Sequence, residues 1–236
     1  MGYTVNTLLN VARSQLGYHE KGSNANLDSF DDNSGNSNYT KYARDLNNAN
    51  YYQANKQSFE WCDMFVDWCH LQAANGNANE AQRVICQSGP YGAACVNSAQ
   101  YYKNFNRLFY SNPQPGDQIF FGDYDHTGIV EAVNGKTITV IEGNSHNCVE
   151  RNNYNIDDSW VKSFGRPFYD EEKVEILDEE EEIMYNTLAE VPDYAKPTIQ
   201  KLINKGYLKG NADGSLGLTN SMIRIFVIHD RAGLYD

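Results

Sequence analysis

The chain of 236 residues is long enough for one domain with a sizeable buried core and a smaller appended module. Hydrophobic residues make up 41% of the sequence and aromatic residues 13%, which is typical of a globular protein and argues against overall disorder. The net charge is −12 and there is no run of lysine and arginine, so nothing in the charge favours nucleic acid as a partner.

The acidic charge is concentrated in one segment. Residues 170–182 contain nine acidic residues and a single lysine, a local charge of −8, which leaves the rest of the chain close to neutral. Such a run repels itself, so we predict an acidic linker over residues 170–184 between two domains, residues 1–169 and residues 185–236. No apolar run approaches the roughly 18 residues of a membrane span, and the N-terminus lacks a basic and apolar signal peptide, so we expect synthesis in a reducing cytoplasm and no membrane partner.

The five cysteines are odd in number and include no C-x-x-C pair, which argues against a disulfide framework and against a zinc ribbon. A bridge between Cys86 and Cys95 is an alternative that their closeness in sequence leaves open.

The N-terminal part predicts two helices separated by a loop. Apolar residues recur at helical spacing over Val5–Gly17, and Tyr39–Leu46 is predicted as a second helix. Between them, residues 24–38 are rich in Asn, Ser, Asp and Gly, which predicts a surface loop. Asp28, Asp31, Asp32 and Asn33 are candidate calcium ligands, but they do not follow the spacing of an EF-hand loop, so no metal is assigned.

The third helix carries the main candidate nucleophile. Residues 60–69 read EWCDMFVDWC, and Cys62, Phe65, Val66 and Cys69 fall on one helical face, with Asp63, Asp67 and His70 off that face. Ser58 is the predicted N-cap, which places Cys62 in the first turn. A helix N-terminus stabilises a thiolate, so the pattern favours a nucleophilic Cys62. The alternative is that Cys62 is a small core residue.

The second half of the domain predicts strands. After Asn112–Gly116 apolar residues recur at every second position, which is typical of strands. This pattern predicts four strands, over residues 117–121, 127–133, 137–141 and 161–168. Helices followed by an antiparallel sheet predict an α+β fold.

His126 is the candidate base because it opens a hairpin that returns at Asn134–Gly135. If Glu131 faces water while Val130 and Val140 face the core, a three-residue loop pairs Ala132 with Lys136. This register places Glu142 directly across from His126 and Asn144 diagonal to the ring, on the face that the Cys62 helix should cover. A carboxylate beside an imidazole supports its protonated form, as a cysteine hydrolase requires, although such a pair is often only structural. The other four histidines, at positions 19, 70, 146 and 229, are predicted at the surface.

These residues carry a resemblance to a known family. The motifs WCDMFVDWC, PGDQIFF at 115–121, HTGIV at 126–130 and IEGNS at 141–145, with Gly165-Arg166-Pro167, resemble the CHAP family, the cysteine, histidine-dependent amidohydrolases and peptidases of bacterial cell-wall lysis, over residues 3–169. The resemblance implies a papain-like fold and a peptidoglycan amide as substrate. It also implies Cys62 as nucleophile, His126 as general base and acid, Glu142 as orienting residue, and Asn144 as a further polar member. Some members bind calcium in a loop that precedes the cysteine. Residues 28–33 do not reproduce that ligand pattern, so no calcium site is assigned.

The resemblance leaves several functions open. N-acetylmuramoyl-L-alanine amidases and peptidoglycan endopeptidases use the same residues, so the scissile bond is not predicted. A host cell-wall remodelling hydrolase and a non-catalytic cell-wall-binding protein with a papain-like shell are the alternatives.

The C-terminal module is predicted to be helical. We expect a helix over Val191–Lys205 with Pro192 in its first turn, a turn at residues 211–214, and a second helix capped by Thr219 or Ser221. The apolar run Met222–Ile228 is too wide for two short helices to cover, which predicts self-association or docking. The module resembles the small wall-targeting modules of phage endolysins, and a helical cap on the catalytic domain is the alternative. The resemblance implies an enzyme made in the bacterial host cytoplasm that acts on the wall after release.

Glu179–Glu182 followed by Ile183-Met184 suggests an internal start. Consecutive GAG codons would spell a ribosome-binding sequence just upstream of Met184, so we predict a free C-terminal module that assembles with the full-length chain. The alternative is that the four glutamates only keep a linker soluble.

Overall fold

The computed structural model describes residues 2–88, 92–170 and 183–235. The chain divides into two compact units, Met1–Glu172 and Lys173–Asp236, which are described separately. Most of the predicted acidic linker falls on residues 171–182, outside the described residues. Met184, which we placed in that linker, begins a strand of the second unit.

The first unit starts with helices whose ends the sequence fixes locally. Thr4 and Thr40 cap the first two helices by accepting from the N–H groups of Thr7 and Ala43, as short hydroxyl side chains do at helix starts. The five helices are α1 Val5–Arg13, α2 Lys41–Asn48, α3 Cys62–Ala73, α4 Ala78–Val84 and α5 Cys95–Asn104.

A six-stranded antiparallel sheet follows, in the order β1-β6-β2-β3-β4-β5. The strands are β1 Leu108–Phe109, β2 Gln118–Phe121, β3 His126–Asn134, β4 Thr137–Ser145, β5 Cys148–Asn155 and β6 Val161–Gly165. Helices in the first half and an antiparallel sheet in the second confirm the predicted α+β class. The sequence pattern did not predict β5, because its polar and asparagine-rich residues lie on the edge strand of the sheet.

Both faces of the sheet carry buried apolar residues. Phe120, Ile129 and Ile141 belong to the large core that includes the helices. Alternate positions such as Phe121, Val130 and Val140 belong to a second, smaller cluster. Because side chains alternate along a strand, these two sets lie on opposite faces.

Helix α3 is the centre of the large core. It contacts α1, α2, α4, β3 and β4, and every residue of the helix except Gln72 is buried. Asp63, Asp67 and His70 lie off the face of Cys62 but are 1%, 1% and 0% exposed, so they are buried as well. The apolar pattern predicted one buried face, but the helix is covered on all sides, and its polar residues are buried with partners of their own.

The register of the β3–β4 hairpin differs from the predicted one. Asn134 pairs with Thr137 across a two-residue turn, and the register shifts between Val130 and Ala132, so that Val130 pairs with Val140. The predicted register is therefore wrong, because the parity rule assumed a regular ladder and a β-bulge at Glu131 breaks it. The bulged Glu131 is tied by salt bridges to Arg13 and Arg151 instead of facing water.

The second unit is small and has a core of its own. It contains β7 Met184–Tyr185 paired with β8 Leu218–Thr219, and the helices α6 Lys196–Asn204 and α7 Asn220–Arg231. Thr219 caps α7 by accepting from the N–H of Met222, one of the two predicted caps. Helix α6 starts five residues later than predicted, because residues 192–195 form a turn and a proline, Pro197, occupies the first turn of the helix.

Candidate active site

Cys62 is the first residue of α3, and the helix start is held by its neighbour Trp61. Trp61 is fully buried, occupies the N-cap position and donates from its indole nitrogen to Glu20 at 2.7 Å. No side chain caps the helix. Ser58 does not cap it either, since its hydroxyl donates to the carbonyl of Ser37, so that prediction is wrong. The N–H groups of the first turn therefore remain available to a negative charge at Cys62.

His126 and Glu142 form a close pair on the sheet. Nε2 of His126 lies 2.7 Å from Oε2 of Glu142, and the carboxylate side chain is 1% exposed while the imidazole is 19% exposed. The ring of His126 also stacks on Phe121, its cross-strand neighbour, at 5.8 Å between centroids. Burial and stacking together fix the orientation of the imidazole.

Glu142 reaches His126 diagonally rather than from directly opposite. Ile129 pairs with Ile141, and extending this register by one pair places Glu142 opposite Gly128. Gly128 lies two residues from His126 in β3. A Cβ atom on Gly128 would lie 2.7 Å from Cγ of Glu142 and 2.9 Å from the carbonyl oxygen of Ile141. The missing side chain at Gly128 thus leaves the space through which Glu142 approaches the imidazole.

The pair does not lie under α3 as predicted. His126 and Glu142 occupy the same alternating positions as Val130 and Val140, whereas α3 shares a cluster with Ile129 on the other face. The imidazole nevertheless meets the thiol, because His126 is the first residue of its strand and interacts with Cys62 at that strand end.

Electrostatics favour an ion pair between the thiol and the imidazole. A hydrogen bond with the Cys95 thiol, together with hydrogen bonding and charge from His126, lowers the pKa of Cys62 to about 5 against the effect of burial. Burial disfavours charge on His126, but its interactions with Cys62 and Glu142 outweigh burial and raise its pKa to about 9. At neutral pH the site therefore holds a thiolate next to an imidazolium.

Cys95 lies next to the candidate nucleophile, although nothing in the sequence spacing indicated it. Its Sγ is 3.8 Å from Sγ of Cys62, and the two residues are 6% and 7% exposed. All five cysteines are free thiols, so the bridge between Cys86 and Cys95 that we left open is not formed. Cys95 begins α5 as Cys62 begins α3, and only the packing of two helices distant in sequence brings them together.

Asp63 links the nucleophile helix to its surroundings. Its carboxylate accepts from the Ser98 hydroxyl at 2.8 Å and from the Gln118 side-chain amide at 2.9 Å. The same amide donates to the hydroxyl of Thr127, the residue after His126, at 3.1 Å. Burial, and next the charge of Cys62, raise the pKa of the Asp63 carboxyl. A chain of buried hydrogen bonds therefore connects both sides of the candidate site.

Asn144 lies where the end of β4 departs from a regular strand. The β4–β5 ladder shifts its register after Glu142, and Asn144 adopts a left-handed backbone with φ of 58°. Its side-chain amide donates to Glu60 at 2.6 Å. Its place beside the ring and its role in the reaction both stay predictions.

The other histidines are less uniform than predicted. His146 is exposed and pairs with Glu150, while His19 and His229 are half-buried. His70 is fully buried, with Nδ1 2.5 Å from the Tyr3 hydroxyl, so its predicted surface position is wrong. Burial lowers its pKa to about 3, so it is neutral at ordinary pH.

The described part of the chain contains neither a cluster of possible metal ligands nor a helix that could span a membrane. Within residues 2–88, 92–170 and 183–235, no three His, Cys, Asp or Glu side chains cluster as a metal site. Asp28, one of the candidate calcium ligands, is paired in a bidentate salt bridge with Arg44. Among the same residues, no helix has the length and apolar character needed to cross a bilayer.

Comparison with known proteins supports the sequence resemblance. Residues 53–144 match the family model described as the CHAP domain, which confirms the resemblance over this part of the chain. The matched range contains Cys62, His126, Glu142 and Asn144. No curated protein matches the sequence.

Two solved structures are similar to the chain. One is described as the crystal structure of Ly7917 with the hydrolyzing product of MDP, at 20% identity and a TM-score of 0.43, covering 70% of this chain and 62% of that chain. The other is the crystal structure of Ly7917, at 16% identity and a TM-score of 0.41, with the same coverage of 70% and 62%. The chain thus spans less than two thirds of the length of either structure.

Proposed function

Since residues 53–144 match the CHAP domain, we propose that the protein is a peptidoglycan hydrolase that cleaves an amide bond by acyl transfer through Cys62. One observation carries the proposal: a thiol of lowered pKa at an uncapped helix start interacts with an imidazole that a buried carboxylate orients. Cys62 is the nucleophile, His126 the general base and acid, and Glu142 the residue that fixes the ring.

The first half of the reaction forms a thioester. The Cys62 thiolate attacks the amide carbonyl carbon, and the developing oxyanion is bound by backbone N–H groups of the first turn of α3. The His126 imidazolium then gives its proton to the amine as the C–N bond breaks. Glu142 stabilises the imidazolium, so the proton stays on the ring until it is transferred to the leaving amine.

The second half regenerates the enzyme. His126, now neutral, takes a proton from water, and the resulting hydroxide attacks the thioester carbonyl. The C–S bond breaks, the carboxylic acid product leaves, and the thiolate and imidazolium are restored.

Digestion of purified cell walls tests the proposal. Wild-type protein should clear a wall suspension, and Cys62→Ala should lower the rate at least about a thousandfold, because the covalent route is lost. Cys148→Ala is the matched control, since it removes a buried thiol from β5 that has no part in the reaction. Equal clearing by wild type and Cys62→Ala contradicts the mechanism. No release by folded wild-type protein favours the alternative of a non-catalytic wall-binding protein.

Mass spectrometry of the released fragments identifies the bond. An N-acetylmuramoyl-L-alanine amidase frees the amino group of the first stem residue and the carboxyl group of muramic acid. An endopeptidase leaves that bond intact and frees amino groups within the stem or bridge peptides. Either product supports a peptidoglycan amide hydrolase, and release of reducing sugar ends alone contradicts it.

For the whole chain we propose a phage endolysin that is made in the bacterial host and acts on its wall after release. Support comes from the resemblance of the second unit to phage wall-targeting modules and from its own core, built around Val191, Ile199 and Ile223. The second unit would then bind the wall. Co-sedimentation of full-length Cys62→Ala with walls measures binding without digestion, and a second substitution, Ile199→Asp, should abolish it by unfolding this core while the first unit stays folded.

A further inference from the structure

A second thiol stands at the nucleophile, and the reaction steps above do not use it. We propose that Cys95 is a positioning residue, whose S–H group donates to the Cys62 thiolate and holds that sulfur in its attacking position. The inference rests on the proposed function, because it assigns Cys95 a role at the same site. It starts from the distance of 3.8 Å between the two sulfur atoms, which is within the range of a thiol hydrogen bond.

The positions of the two thiols in the fold support this role. Cys62 is the first residue of α3 and Cys95 is the first residue of α5, and neither helix has a side-chain cap. Two helix N-termini, each with a partial positive charge and free N–H groups, therefore meet at one pair of sulfur atoms. A single negative charge shared between these sulfurs is stabilised from both sides.

The start of α5 is held in place by the residue next to the nucleophile. Asp63 accepts from the hydroxyl of Ser98, one turn after Cys95, and also from the backbone N–H of Ala94. Gln118 donates to the other carboxylate oxygen of Asp63 at 2.9 Å. Because one carboxylate contacts the residues before and after Cys95, the distance between the two thiols is fixed by a buried network and not by a surface contact.

Charge decides which thiol donates. The imidazole of His126 lies beside Cys62, which favours the thiolate there. The hydrogen bond with Cys62, burial, and the charges of Asp63 and Cys62 raise the pKa of Cys95. Cys95 thus stays a thiol while Cys62 is ionised, and the proton between them belongs to Cys95.

Other titratable groups also act on this pair. His126 on β3 interacts with Cys62 directly, and Glu142 on β4 acts through His126. Asp63 follows Cys62 on α3, and Asp67 lies one turn further along the same helix. A variant of Cys95 leaves all four groups in place, so a change in the ionisation of Cys62 reports the loss of the thiol donor.

Alkylation of full-length protein by iodoacetamide tests the role without any substrate. The rate of labelling of the Cys62 peptide, followed by mass spectrometry against pH, gives the ionisation midpoint of this thiol. Cys95→Ala removes the donor and should raise the midpoint by about one pH unit, a tenfold change in equilibrium. Cys95→Ser loses the same sulfur atom but keeps an O–H donor, so it should restore a midpoint close to that of the wild type.

Wall digestion by the same variants gives a second readout. Cys95→Ala should lower kcat about tenfold with little change in KM, and Cys95→Ser should recover most of kcat. Equal midpoints in all three proteins would overturn the proposal, as would equal shifts in Cys95→Ala and Cys95→Ser, which would assign the effect to packing. Thermal unfolding of each variant identifies folded protein. Wild-type protein that does not cleave walls overturns the proposed function, whereas the alkylation series alone decides whether Cys95 donates.

Discussion

At the scale of single residues, the pKa values of Cys62 and His126 predict how activity depends on pH. Because the pKa of Cys62 is lowered to about 5, the thiolate forms above about pH 5. Because the pKa of His126 is raised to about 9, the imidazolium persists below about pH 9. The rate constant kcat/KM for soluble wall fragments should therefore rise near pH 5 and fall near pH 9. A single rise near pH 8.5, as for an ordinary thiol, would contradict the ion pair.

Gly128 gives a second prediction at this scale. An alanine there would place Cβ 2.7 Å from Cγ of Glu142, which must move away from His126. Gly128→Ala should lower kcat at least about tenfold and move the alkaline fall of the pH profile to lower pH, because the imidazolium loses part of its carboxylate stabilisation. Gly22→Ala is the control, since no atom lies closer than 3.8 Å to its added Cβ. An unchanged alkaline fall in Gly128→Ala would show that Glu142 keeps its contact.

At the scale of helices and strands, the sequence predicted which elements carry the site but not how they are arranged. Helix α3 and the β3–β4 hairpin follow from periodicity and turn residues. The bulge at Glu131 does not, because two arginines distant in sequence, Arg13 and Arg151, bind its carboxylate. Cys95 could not be recognised, because its closeness to Cys62 depends on how α3 and α5 pack and leaves no mark in local spacing.

The buried carboxyls of α3 predict a pH dependence of stability. Burial raises the pKa of Asp67 above that of an unfolded aspartate, although it accepts hydrogen bonds from Tyr52 and Ala93. The neutral carboxyl therefore contributes fully to stability below about pH 4, and this contribution is lost as the pH rises through the pKa of Asp67 in the folded protein. The loss is about 1.4 kcal/mol for each pH unit by which the pKa in the folded protein exceeds that in the unfolded protein. The free energy of unfolding of Asp67→Asn, measured relative to the wild type, should therefore increase between pH 5 and pH 8.

Asp28 provides the matched control for this experiment. It is mostly exposed, and its hydrogen bonds to Arg44 lower its pKa, so it is ionised in both states throughout that pH range. The difference between Asp28→Asn and the wild type should stay constant from pH 5 to pH 8. A difference for Asp67→Asn that is equally constant would show that Asp67 is ionised in the folded protein.

At the scale of the whole molecule, the position of Met184 bears on the predicted internal start. Within residues 183–235, the buried apolar residues of the second unit lie after Met184, from Val191 to Val227, and Met184 itself opens the strand β7. A product that starts at Met184 would therefore keep these core residues. Expression from the native gene should yield this product by intact mass, and synonymous recoding of Glu179–Glu182 from GAG to GAA should remove it. A single full-length species from the native gene would rule the internal start out.

The exposed face of α7 is the surface through which we expect such modules to assemble. Ile225 and Ile228 are 50% and 63% exposed, and Met222 is 39% exposed on the same helix. We propose that this face binds a second copy of the unit, which would give one enzyme several wall-binding modules. Light scattering of the wild type should show a mass above that of one chain, and Ile225→Glu with Ile228→Glu should reduce it to a monomer.

The closeness of Cys62 and Cys95 also predicts that oxidation of the nucleophile is reversible. A hydroperoxide attacked by the Cys62 thiolate would transfer one oxygen atom to sulfur, giving a sulfenic acid and an alcohol or water. The Cys95 thiol would then displace that oxygen as water and form a disulfide, which removes the nucleophile until a dithiol reduces it. Hydrogen peroxide should thus stop wall digestion reversibly in the wild type. In Cys95→Ser the sulfenic acid has no thiol beside it, so the same treatment should oxidise Cys62 further to the sulfinic acid. Dithiothreitol should then not restore activity.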